Sequence, residues 1–284
     1  MVLLQAIQKA SLLAFLICSM GGIGMRLELR ALLETLKKPS FVVIALVLNF
    51  VVAPALAWGI TMVLPLRSGH ATGLLLLGVA AGAPFLPKLA EVSQDSVTSA
   101  TAVMVLLTAG TVLFMPLVLP WMIPGFHADA WAIAQPMVLL LLLPLAMGTV
   151  VRATLPRLAA ACAPIFARVG SISLVLLFVL LVVLNVSGLL AVIGTGAIAA
   201  AMLHTAGLFC LAWLVLGAWP EFRGVQSLCV SARNFGAAMV PAAGALQSPD
   251  VMIMLVASAV VGLLICTLEA VWLRRRKFRC QPGG

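Results

Sequence analysis

Apolar positions along this chain neither alternate with polar ones nor keep to one face of a helix; they fill whole stretches that polar clusters punctuate. A helix that crosses the hydrocarbon core of a bilayer needs about 20 mostly apolar residues. Nine stretches have that length, at roughly 4–25, 40–65, 71–90, 96–121, 131–151, 169–189, 191–219, 223–246 and 250–273. They predict an all-α polytopic membrane protein of about nine transmembrane helices. Connections are short, and none has the composition of a linker or a soluble domain. Residues 1–284 therefore read as a single transmembrane domain.

Two runs carry their own interruptions. The third contains Gly82, Pro84 and Pro87, then Lys88, Glu91 and Asp95. A proline removes a backbone hydrogen bond and clashes with the preceding turn, so the pair predicts a broken helix. The eighth reads Ser231-Ala232-Arg233-Asn234-Phe235-Gly236, with Pro241 and Gly244 beyond it, and predicts a second break. Unwound backbone at membrane depth persists only where protein or a water-filled cavity satisfies the freed groups. The two breaks lie five runs apart, an odd offset that reverses their direction across the membrane. Inverted repeats with a solute site between them have that layout.

Composition agrees with the pattern. Hydrophobic residues make up 64% of the chain and charged ones 9%, against about 25% charged in soluble domains. The net charge of +9 would suggest nucleic acid until its placement is considered: Lys and Arg sit in connections, with no aromatic platform among them, which excludes that partner. Alternate connections hold Arg26, Arg30, Lys37 and Lys38; Lys88; Arg152, Arg157 and Arg168; Arg223; and Arg274 to Lys277 with Arg279. These are 14 of the 17 basic residues. By the positive-inside rule they place the N-terminus outside and the C-terminus in the cytoplasm of a cytoplasmic (inner) membrane, with lipid as surroundings. The six cysteines form no C-x-x-C pair and read as small core- or lipid-facing residues; Cys280, in the basic tail, is a candidate lipidation site.

Arg233 is the most informative candidate. A guanidinium in mid-membrane must face a cavity or a partner. It either binds a carboxylate of a solute with its planar fork of donors or forms an internal ion pair, with Glu269 as the candidate. Lys88 either adds positive potential to the same cavity or anchors its span at the cytoplasmic surface. Asn234 offers amide donors and an acceptor beside Arg233, or caps the broken backbone. His204 either relays protons or hydrogen-bonds a neighbouring helix. Asn49, Pro54 and Asn185 read as packing or kink residues. Ser93, Ser96, Thr98, Ser99 and Thr101 either line a polar vestibule or satisfy backbone carbonyls. Only three histidines occur, and no H-E-x-x-H, G-x-S-x-G or P-loop is present, so no enzyme is expected.

At these residues the chain resembles the bile acid:sodium symporter family and its bacterial relatives. Gly24-Met25-x-Leu27-x-Leu29 with Lys37-Lys38-Pro39 is similar to the segment joining two early helices there, and Asn49 to Pro54 to the next span. Ala83 to Ala90 falls at the family's first crossing helix, with Pro84 and Phe85 at the solute. His204 opens a span as a His-Asn pair does there, and Cys229 to Gly236 matches the second crossing helix. The resemblance implies a panel domain and a core domain, two crossing helices in the core, and sodium-coupled transport of an organic anion. Ten-helix members carry a further first helix.

Departures bear on the coupling. The family's Ser-Asn sodium ligands are Ala83 and Pro84 here, its shared sodium-binding Glu is Cys229, and a Gln ligand is Arg233; Ser99 matches a retained hydroxyl ligand. Sodium wants several hard oxygen ligands, so neither sodium nor another cofactor is expected to be needed. The reading is a secondary transporter moving a small organic anion by alternating access, with Arg233 as a fixed charge in place of bound sodium. Its rivals are an uncoupled or proton-coupled facilitator or efflux carrier, and a non-transporting receptor or assembly module. A carrier should show Arg233 and the Pro84 break lining one cavity; a non-carrier should show Arg233 sealed in an ion pair with no cavity beside it.

Overall fold

Helices account for nearly all of the chain in a computed structural model that describes residues 2–123, 125, 129–246 and 248–279. His127 and Cys280 lie outside the described residues. Among the described residues, seven helices are long and apolar enough to cross a membrane. These are α1 (Val2–Arg26), α3 (Pro39–Val63), α6 (Val97–Met122), α7 (Ala130–Thr154), α8 (Pro156–Leu184), α10 (Ala197–Ala218) and α13 (Pro249–Arg279). A short helix with a strong apolar face, α2 (Leu29–Leu36), links α1 to α3, and α9 (Val186–Ala191) follows α8.

The third and eighth apolar runs are interrupted as expected. The third is α4 (Ser68–Val79), four unwound residues, a two-residue turn, then α5 (Leu86–Val92); the eighth is α11 (Pro220–Ser231), then α12 (Phe235–Pro241). Pro54 and Pro144 leave their helices continuous. Each follows a π-helical turn, at Leu48–Val52 and Val138–Leu142, where the looser winding absorbs the missing N–H.

Several boundaries differ from the sequence reading; the last helix, for one, carries Arg274 to Arg279 on α13. The sixth run, expected at 169–189, is a helix from Pro156 to Leu184, so Arg157 and Arg168 lie on α8 and not in a connection. Pro156 starts it at a position where its missing N–H costs nothing. At the other end Asn185 Nδ2 returns to the Leu181 carbonyl at 2.8 Å, and Asn185 serves as a helix-ending residue.

α1, α7 and α8 pack together through small residues. Built on Gly24, a Cβ would collide with the Leu145 carbonyl, so that glycine sets the approach of α1 to α7. The remaining helices surround the two interrupted segments. Aliphatic and aromatic residues of α3, α5, α6, α10, α11 and α13 converge around Ala81, Ala83 and Ala232, burying both breaks.

Candidate functional site

The two breaks meet. Proline and glycine unwind residues 80–85, and Gly82 adopts φ +78°, a conformation in which an added Cβ would lie 2.5 Å from the Thr108 nitrogen. Unwinding frees polar backbone groups, and neighbours take them up. On α6, Thr111 Oγ1 donates to the Ala81 carbonyl at 3.1 Å and accepts from the Ala81 N–H at 2.9 Å. Thr108 Oγ1 reaches the Gly82 carbonyl at 3.1 Å. From the second break, the Asn234 N–H donates to the Ala80 carbonyl at 3.0 Å and its Nδ2 to the Gly82 carbonyl at 2.9 Å. Asn234 Oδ1 accepts from the Ala237 N–H at 3.0 Å and so caps α12.

Arg233 closes the crossing from the other side. Its Nε donates to the Leu77 carbonyl at 2.9 Å and Nη2 to the Gly78 carbonyl at 2.8 Å; Nη1 donates to Asn49 Oδ1 at 2.9 Å and to the Val230 carbonyl at 3.3 Å. Leu77 and Gly78 are in the last turn of α4, and Val230 is in the last turn of α11. Carbonyls of helix ends and the negative end of the backbone dipole therefore face the guanidinium from two helices at once. Asn49 sits in the π-helical turn of α3, where Nδ2 donates to the Ala45 carbonyl at 3.0 Å, leaving the oxygen aimed at Arg233.

This geometry corrects three expectations. Arg233 is 1% exposed and Asn234 is fully buried, so neither touches the cavity described below. The guanidinium is sealed by carbonyls and an amide rather than by Glu269, which is engaged with Ser231. His204 is buried on α10 with Nε2 3.3 Å from the Ala53 carbonyl, a helix-packing contact with α3. It lines no cavity because the α3–α10 seam is closed around it.

The sodium positions do not fit an ion. Asn49 Oδ1 and the α4 carbonyls already face Arg233, whose charge would repel a second cation. The Cys229 thiol is buried against Asn49 Nδ2 at 3.9 Å and offers no hard oxygen. Ser99 lies in the first turn of α6, its N–H capped by Ser96 Oγ at 3.1 Å.

Pro84, Phe85 and Lys88 form one wall of a cavity of about 710 Å³. The opposite walls are Phe15, Ser19, Gly22 and Ile23 of α1 and Ala167, Gly170, Ser171 and Leu174 of α8; Thr98, Thr101 and Ala102 of α6 close the side. Arg26, Glu28, Lys88 and Glu91 sit on the lining as well. Lys88 Nζ is tied to Glu91 Oε2 at 2.6 Å, whereas among the described residues no ion pair involves Arg26. Arg168, on α8, joins Arg26 in an adjoining recess. The chamber thus has apolar walls, a few hydroxyls and, at its polar end, a guanidinium that no ion pair holds among the described residues. Its size and character suit a drug-sized amphipathic molecule.

Sequence reading missed Arg26, Thr108 and Thr111. Arg26 reads as one of many positive-inside residues until α1 is seen to end at the cavity. Thr108 and Thr111 stand three apart in mid-helix, a spacing that puts both hydroxyls on one face and gives a readable sign of an unwound neighbour.

The sodium bile acid symporter family matches the chain over residues 12–195, more than half of its length, and so spans α1, the first break and the cavity. No curated protein matches it.

Proposed function

Since the chain belongs to the sodium bile acid symporter family, a family of membrane transporters, we propose that it is a secondary carrier for a small amphipathic organic anion, working by alternating access without bound sodium. In this reading α4–α5 and α11–α12 are the third and eighth of nine spans. They cross within a core domain, and α1, α7 and α8 form the panel that moves against it. The basic residues near Arg26, Lys88 and Lys277 face the cytoplasm, so the cavity opens inward.

The cavity between α1, α8 and the first break carries the proposal. A chamber of that volume beside unwound backbone supports a carrier over a purely structural module. Arg26 gives the chamber its preference for anions, and Phe15, Phe85 and Leu174 take the apolar body of the solute. Arg233 supports the absence of sodium. Two half-helix C-termini aimed at one point are an arrangement that coordinates transported cations, and here a fixed guanidinium stands at that point.

Counterflow of labelled taurocholate, a bile-acid conjugate that stays ionised, tests the carrier function in reconstituted vesicles. Exchange above protein-free vesicles, reduced by Arg26→Gln through a several-fold rise in KM, is expected. No exchange for taurocholate or for any of a panel of smaller carboxylates would refute a carrier.

A further inference from the structure

The crossing and the cavity leave one buried acid unexplained. Glu269 of α13 is 8% exposed, with Ser231 Oγ 2.6 Å from its Oε2, and its Oε1 has no hydrogen-bond partner among the described residues. Among the described residues no cation pairs with it. On α11, Arg233 directs its donors to Leu77, Gly78, Asn49 and Val230, and Arg223 donates to the Trp213 carbonyl while stacking on that indole. On α10, His204 is turned to Ala53. On α5, Lys88 and Glu91 pair with each other in the open. On α13 itself Arg276 stacks on Trp213 and Trp272, Lys277 is held by Asp95, and Cys266 Sγ lies 3.6 Å from the same Ser231 hydroxyl.

An ionised carboxylate here would keep one bare oxygen and no counter-charge in a medium of low dielectric. A carboxylic acid needs no counter-charge and leaves Oε1 as an uncharged, weaker acceptor. Its O–H donates from Oε2 to Ser231 Oγ, and the serine proton passes on to the Leu228 carbonyl, 3.4 Å away. Residues toward the basic end line up with it. Gly224, Ser227 and Ser231 share a face of α11, and Glu269, Leu273 and Lys277 share a face of α13. The Lys277–Asp95 pair closes the basic end, with Asp95 against Gly224. Between it and Glu269 lies Ser227, fully buried, whose hydroxyl also has no partner.

We propose that Glu269 is a proton-binding site, reached from the basic end along Ser227, and that its proton is exchanged once per transport cycle. The second half rests on the carrier reading above. Ser231 is the last residue of α11, directly before the second break, so any movement of the crossing changes what the carboxyl touches. When that movement admits water, the O–H bond of Glu269 breaks, water takes the proton, and the carboxylate remains until the crossing closes. Proton binding then supplies the coupling that sodium does not.

Infrared spectra of the purified full chain at neutral pH test the site without any solute. A protonated-carboxyl C=O band that shifts in D2O and is lost in Glu269→Gln is the expected result. Absence of the band, its survival in Glu269→Gln, or its displacement by added sodium would overturn the proposal. Should the Gln variant fail to fold, Glu269→Asp must move the band, and an unmoved band rejects the site equally. In vesicles, taurocholate accumulation driven by a pH gradient should be lost in Glu269→Gln; a wild-type response there contradicts coupling through this residue. Wild-type vesicles showing no taurocholate exchange would refute the carrier reading, while the infrared result still decides the proton site.

Discussion

Arg233 is a cation held without an anion. Four of its N–H groups meet the carbonyls of Leu77, Gly78 and Val230 and the amide oxygen of Asn49, and no carboxylate is among them. The helix ends provide the negative potential that an acid would otherwise supply. Arg233→Gln would leave the Gly78 carbonyl without the donor it now has, at about 1–3 kcal/mol for a buried group, and the Leu77 carbonyl with the Ala80 N–H alone. Thermal denaturation in detergent should show a clear loss of stability. Arg233→Lys, which keeps the charge but not the fork, should fall between that variant and wild type. Arg26 belongs to the cavity instead of the crossing, so Arg26→Gln should weaken anion transport and leave the melting temperature within a degree or two, as surface changes usually do. Of these two arginines the sequence singles out Arg233, because a charge inside an apolar run is conspicuous. It gives no such notice of Arg26, which looks like its neighbours Arg30 and Lys37 until the fold brings Pro84 alongside α1.

At the scale of elements, the two interrupted segments hold each other open. Each break supplies what the other lacks: Asn234 donates to Ala80 and Gly82, and Thr108 and Thr111 of α6 satisfy what remains. Gly82→Ala should be among the most damaging single changes. A left-handed backbone costs an ordinary residue about 1–2 kcal/mol, and the new Cβ would press on Thr108 as well. Thr111→Val should cost about 1–3 kcal/mol, since both the N–H and the carbonyl of Ala81 lose their partner. Denaturation of both variants in detergent checks these values. Both breaks are legible in the sequence, because Pro84, Pro87, Asn234 and Gly236 stand inside apolar runs. Their partners are not: which helix satisfies an unwound segment depends on packing between elements far apart in the chain. The extension of α8 back to Pro156 was hidden for another reason. Arg157 and Arg168 mark residues 156–168 as a connection by charge, whereas the helix continues beyond the apolar run.

At the scale of the molecule, seven helices long enough to span a membrane among the described residues and a family match over residues 12–195 describe a membrane protein of a transporter family, with a chamber beside the first break. Long apolar runs make the membrane fold readable without coordinates, and the basic connections suggest its orientation. The coupling ion is another matter. It depends on whether oxygens or a guanidinium fill one small volume, and residue identities at positions 49, 229 and 233 only hint at the answer until Arg233 is seen between two helix ends. The central claim is that this guanidinium replaces bound sodium, and taurocholate uptake into reconstituted vesicles tests it most directly, with sodium exchanged for choline at constant ionic strength and pH. The account predicts equal initial rates in the two ions. A rate that rises steeply and saturably with sodium would contradict it.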